Sequence, residues 1–252
     1  MLAFPPTAIP QPAIDSAAQL ARLLGASLFG LFVENSELLA AANLPFLREL
    51  DAHMRAWRPL SHQSLVEDYT AVASALRRQL LHSAAQLGVE AEFEVFRGDP
   101  RAAVASGTVA SDLVALFEPI TNWTLYKESV AAGTVFVPRT ARPQTGPVVV
   151  IARQPQDREV QIASEIAANT NMHVVVVDAA QEQSSAYWLE RGARGAMNRA
   201  ARIATSAEHF LQLGLPPASL VVVTRATLER FGEPLESIAA GRPEPWLVLE
   251  DR

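Results

Sequence analysis

One pattern constrains the fold of this chain more than any other: a helix, a buried strand, a long helix and a further strand are written twice. Placing Leu20-Ala21 on Ile166-Ala167 superposes the first helix–strand unit of each half at an offset of about 146 residues. Strands that alternate with helices imply parallel sheets and right-handed crossovers in both halves. The expected fold class is therefore α/β, as two tandem open parallel-sheet sandwich repeats covering residues 1–140 and 141–252, the second shortened.

Along the first half, AIDSAAQLARLLG (Ala13 to Gly25) spaces its apolar residues as a helix does and closes on a glycine suited to a C-cap. ASLFGLFVE then reads as a buried strand. After the irregular stretch ENSELLAAANLPFLREL come a long helical pattern from Ser61 to Gly88 and the strand VEAEFEVF. GDPRAAVASG reads as a turn and a brief helix, SDLVALFEP as a strand, LYKESVAAG as a helix and TVFVP as a strand. The proline-bearing RTARPQTGP (Arg139 to Pro147) is the natural linker.

The second half opens on GPVVVIA, a near-continuous apolar run of the kind covered on both faces of a sheet. REVQIASEIAANTN is predicted as a helix, MHVVVVD as a strand and RGAMNRAARIATSAEHFLQLG as a long helix. ASLVVVT is a further strand, LERFGEPLESIAAG a helical segment and PWLVLE the last strand.

Composition narrows the function classes. A net charge of −6 over 252 residues argues against nucleic acid as partner, because phosphate-backbone binding wants a basic surface. Without cysteine there is no disulfide, thiolate nucleophile or thiolate metal site. No apolar stretch approaches the roughly 20 residues that span a bilayer, and no basic segment leads into an apolar one as in a secretory signal. A cytoplasmic protein without membrane insertion is expected.

Motifs for catalysis are missing: no G-x-S-x-G, P-loop or G-x-G-x-x-G occurs. The histidines at 53, 62, 82, 173 and 209 make no metal-spaced set, so no metal is expected. Arg191, Arg194 and Arg202 fall along one face of the helix predicted there, either a solvated surface or an interaction face. Leu38 to Arg58 mixes Leu, Phe, Met and Trp with charges, as core cover or as a subunit contact.

AAQLARLLGASLFGLFVENSELLAAANLPFLRE, followed after the long helix by RGDP and SDLVALF, resembles the universal stress protein family in its tandem form. GPVVVIARQPQDREVQIASEIA resembles the opening of a second, shorter copy. The resemblance implies the adenine nucleotide alpha hydrolase-like class of fold, an Asp in a turn after the first strand and a glycine-rich phosphate loop after the fourth. Glycine lets backbone N–H groups close around phosphates. Here Pro5 stands where the Asp is expected and Thr7 where a Ser is, and in the second half Ala152 and Gln154 take these places. The first phosphate loop, Glu118 to Ser129, has no glycine and carries Trp123; the second, TRATLERFGEPLES, keeps only Gly232.

These departures lead to an expectation of a non-enzymatic regulator or adaptor that acts through protein contacts, with no cofactor, an unidentified protein partner and a homodimer as one form. The alternative is a stress-response protein holding an adenine nucleotide or other anion in an unconventional cleft. Open parallel sheets offer a crevice at the carboxyl ends of their strands. Thr7, Arg153, Gln154, Thr224 and Arg225 are the polar residues expected around it, with Val33 and Val177 near the strand ends.

Overall fold

The computed structural model describes residues 1–4, 7–44, 46–51, 55–99, 102–103, 113–117, 133–179, 202–204, 218–231 and 242–250. Helix α1 (Gln11–Leu24) begins on Pro10 and takes Pro12 in its first turn, where a missing N–H costs nothing. Its face of Ala13, Ile14, Ala17, Leu20 and Ala21 is buried, and Gly25 closes it at φ 62°. Strands β1 (Leu2–Phe4) and β2 (Leu28–Asn35) flank it, and the Asn35 side chain caps the short α2 (Ser36–Ala41).

The stretch expected to be irregular, Glu34 to Leu50, holds α2 and leads into a hairpin, β3 (Arg48–Asp51) against β4 (Ala56–Pro59), that the sequence reading did not anticipate. Helix α3 (His62–Leu87) follows, N-capped by Ser61 and closed by Gly88 at φ 68°. It sits close on the sheet at Gly30, where an added Cβ would lie 2.6 Å from Leu80 Cδ2 and 2.8 Å from Phe93 Cδ2. Strands β5 (Ala91–Gly98), β6 (Leu113–Leu116) and β7 (Gly133–Phe136) complete the first half.

The second half lays down β8 (Val148–Ala152), α4 (Arg158–Thr170), β9 (Val174–Asp178), β10 (Arg202–Ala204), β11 (Leu220–Thr224), α5 (Arg225–Phe231) and β12 (Trp246–Leu249). Strand β10 corrects the sequence reading. Residues 202–204 lie inside the stretch predicted as a long helix, but they pair in parallel with β9, Ile203 opposite Val176. Backbone pairing along a sheet edge outweighs the helical preference of an Ala- and Arg-rich segment. The expected brief helix after β5, the first phosphate loop, the turn at Pro5 and most of 180–217 lie largely outside the described residues, whereas the second phosphate loop is described from Thr224 to Phe231, where it forms α5, and not beyond.

Among the described residues, the strands outside the hairpin form one ten-stranded sheet, in the order β10-β9-β8-β11-β12-β7-β6-β1-β2-β5. Read outward from β1, the first half runs β5-β2-β1-β6-β7; read outward from β8, the second runs β10-β9-β8-β11-β12. Each therefore places its strands third, second, first, fourth, fifth. Neighbours are parallel except at the junction, where β12 meets β7 antiparallel with Leu247 opposite Val135. The sheet is thus mixed at one seam and parallel elsewhere.

The valine runs are buried because both faces of the sheet are covered. One face sets Phe4, Phe32, Val148, Val150, Val176 and Val222 against α1, α3 and α4. The other gathers Val114, Leu116, Val149, Ile151, Val221 and Trp246. Among the described residues no helix is long and apolar enough to cross a membrane.

Candidate functional site

The carboxyl ends of the strands are where an open α/β sheet presents its crevice. In the second half the turn after β8 brings two backbone donors together: Arg153 N–H and Gln154 N–H both point at Asp157 Oδ2, at 3.0 and 2.8 Å. Asp157 is also the residue that begins α4. The chain's own carboxylate therefore sits on the N–H groups that an anion would use, while the Arg153 and Gln154 side chains stand exposed.

The turn after β11 repeats the arrangement with side chains. Thr224 Oγ1 hydrogen-bonds Thr227 Oγ1 at 3.0 Å and accepts from Thr227 N–H at 3.4 Å, which turns the chain into α5. Arg225 is ion-paired through Nη2 with the Glu250 carboxylate, both side chains being mostly buried. The register that sets Thr224 opposite Leu249 brings the two residues side by side. Arg225 Nε is buried without a hydrogen-bond partner among the described residues.

In the first half, Thr7 is exposed and accepts a 3.3 Å hydrogen bond from Arg139 Nη2, which also reaches the Ala8 carbonyl. A linker guanidinium thus holds the chain just past β1. Near the end of β2, Glu34 is buried and pairs with Arg97 of β5 at 2.7 Å, its cross-strand neighbour. Tyr69 of α3 stands against Phe32 with the rings 6.0 Å apart and near perpendicular. Burial pushes the Tyr69 phenol above its ordinary value; the Asn35 backbone works against this and the Glu34 carboxylate adds to it.

Of the residues singled out in the sequence, Arg153 and Gln154 share one turn, and Thr224 and Arg225 share another. Val33, 4% exposed, packs with Leu31 and Ala103, and Val177, 0% exposed, packs in the layer of Ile151 and Val221, so neither presents its side chain to solvent. Arg202 lies in β10 and not on a helix face with Arg191 and Arg194, which fall outside the described residues. Sequence reasoning missed Asp157, Glu250 and Arg139, the groups that engage the expected site residues. Asp157 carried a signal, an Asp directly before a helical pattern, which is a preferred N-terminal residue. Glu250 and Arg139 carried none.

A cavity of about 590 Å³ opens at the opposite end, beside the amino ends of β1, β2 and β6, with Leu20, Leu24, Phe29, Leu113 and Val135 in its wall. It is separate from the strand tips. Among the described residues no group of three or more His, Asp or Glu is placed to hold a metal ion.

No family model matches the sequence, and no curated protein matches it. The structure does have a counterpart: a universal stress protein from Archaeoglobus fulgidus DSM 4304 superposes with a TM-score of 0.62, covering 99% of this chain and 97% of that one at 12% identity. The chain has the universal stress protein fold. The superposition takes in both halves of the ten-stranded sheet. At such low identity it speaks for the backbone and not for the groups at the strand tips, which have to be read from this chain's own residues.

Proposed function

We propose that this protein is a universal-stress-protein-like regulator or adaptor, cytoplasmic and non-enzymatic, that acts through protein contacts and no longer uses its strand-tip crevices for nucleotide. The observation that carries the reading is the pair of internal carboxylates in the second half. Asp157 takes both N–H groups of the first turn, and Glu250 neutralises Arg225 of the second. A phosphate arriving there would meet two negative charges and would have to displace them from geometry already satisfied. Pro5, Ala152 and a first phosphate loop without glycine are the sequence departures that agree with it. The two matching strand orders fit a duplicated unit whose halves pair through their fifth strands.

The test is to purify the protein without added nucleotide, denature it and analyse the released small molecules by chromatography and mass spectrometry. An empty protein is expected. Roughly one nucleotide per half would overturn the reading and favour the unconventional anion cleft, in which Arg153→Ala and Arg225→Ala should then weaken binding.

A further inference from the structure

The cavity at the amino ends of the strands lies between α1 and the sheet. Its volume of about 590 Å³ is far beyond an ordinary packing defect and falls in the range of roughly 300–1,000 Å³ where small-molecule sites lie. Leu113 and Ala115 of β6 line it beside Val135 of β7, and both are only partly buried although β6 is flanked by β1 and β7. Val114 and Leu116, on the other face of the same strand, are buried. The second half shows that the fold does not require this opening. β11 holds the same fourth place in the strand order, and its Leu220 and Val222, which pack in the same layer as α4, are both 0% exposed. The helices do not make the difference, because the offset that sets Leu20 on Ile166 also sets Ala17 and Ala21, in the cavity wall, on Ala163 and Ala167.

The wall is hydrocarbon. No described residue around the cavity has a charged side chain, and the one polar side chain among them is that of Ser27, in the exposed turn where the wall reaches solvent. The main chain adds little, since its groups are engaged. Leu28 N–H bonds the Glu90 carbonyl at 2.8 Å, Ala115 N–H the Met1 carbonyl at 2.7 Å and Ala26 N–H the Ala21 carbonyl at 2.9 Å. The Met1 amino group is turned to the Leu113 carbonyl at 2.7 Å. An ion entering here would shed its water with no side-chain counter-charge to receive it, whereas an apolar body gains by leaving water.

We propose that this cavity binds a small uncharged molecule with an apolar body and a single polar end, the body lying between α1 and β6 and the polar end meeting the Ser27 hydroxyl at the mouth. The site is distinct from the strand-tip crevices. The eight residues of β2 put about 25 Å between the two ends of the sheet, and Arg153, Asp157, Arg225 and Glu250 take no part in the cavity wall. The inference does not rest on the adaptor reading.

The probe for the experiment is N-phenyl-1-naphthylamine, which is uncharged, apolar and fluorescent when shielded from water, titrated into the full-length protein. A rise that saturates at one probe per chain is expected. Ser27→Trp sets bulk at the mouth on an exposed position, and Ala21→Phe fills the interior. Circular dichroism checks that both variants are folded. Each is expected to weaken binding roughly tenfold or more, and if Ala21→Phe fails to fold, Ser27→Trp decides alone. No saturable rise in the wild type overturns the site. So does wild-type affinity in every folded variant, which would move the probe to exposed apolar side chains such as those of the hairpin, and so does displacement of the probe by ATP. Nucleotide released on denaturation overturns the adaptor reading and leaves this site standing, whereas a titration without saturation removes this site and leaves that reading untouched.

Discussion

Glu250, one residue past the end of β12, pairs with Arg225, one residue past the end of β11. Adjacent parallel strands bring their carboxyl-terminal residues together, so a pair 25 positions apart (250 − 225) closes the tip of the second half. Glu250→Gln leaves a mostly buried guanidinium without its counter-charge. It is expected to lower stability by about 1–2 kcal/mol, read as a lower urea midpoint at unchanged slope.

Asp157 is held by two backbone N–H groups from residues just before it in the chain. Asp157→Ala should cost about 1 kcal/mol by leaving the Arg153 and Gln154 N–H groups, in the turn that precedes α4, without their acceptor, and Asp157→Asn less, because an amide oxygen still accepts. Urea unfolding of the three proteins checks the order. Equal stability for all three would remove Asp157 as the organiser of this turn.

Two glycines separate backbone strain from crowding. At Gly25, φ is 62° and nothing lies within 4 Å of an added Cβ, so Gly25→Ala is expected to cost about 1–2 kcal/mol from the left-handed backbone alone. Gly30 needs no unusual backbone, but its added Cβ meets Leu80 and Phe93 under 3.0 Å, so Gly30→Ala is expected to cost about 1–3 kcal/mol from packing. In thermal unfolding, trimming Leu80 to Ala should partly rescue Gly30→Ala and should not rescue Gly25→Ala.

Tyr69 gives an alkaline signature. Its phenol is raised above the ordinary value of about 10 by burial first, with the Asn35 backbone lowering it and the Glu34 carboxylate raising it further. As pH rises past 10 the unfolded chain loses this proton before the folded one does, so the unfolded state binds fewer protons and stability falls. The contribution is fully present below pH 10 and is lost as pH climbs through the raised value. Urea midpoints measured from pH 8 upward should show a decline that is shallower in Tyr69→Phe.

Much of the scaffold was legible along the chain. The helical spacing of α1, the glycine at its end, the long α3 and the apolar runs that became β8, β9 and β11 are local properties, written within a dozen or so residues of one another. The resemblance carried by AAQLARLLGASLFGLFVE and its neighbours pointed to the backbone that superposition finds. Residue identity also settled early that cysteine chemistry is absent.

What the tertiary structure decided depends on which distant backbone and side-chain groups meet. β10 becomes a strand because the edge of β9 offers hydrogen bonds to residues 202–204, a partner about 27 residues away that local propensity does not encode. The antiparallel seam between Phe136 and Trp246 is a choice among free sheet edges. Asp157 was within reach of sequence rules, but the meeting of Glu250 with Arg225, and of Arg139 with Thr7, required two turns to be carried to the same place. Periodicity specifies which face of an element is apolar; only the folded chain specifies what stands opposite it.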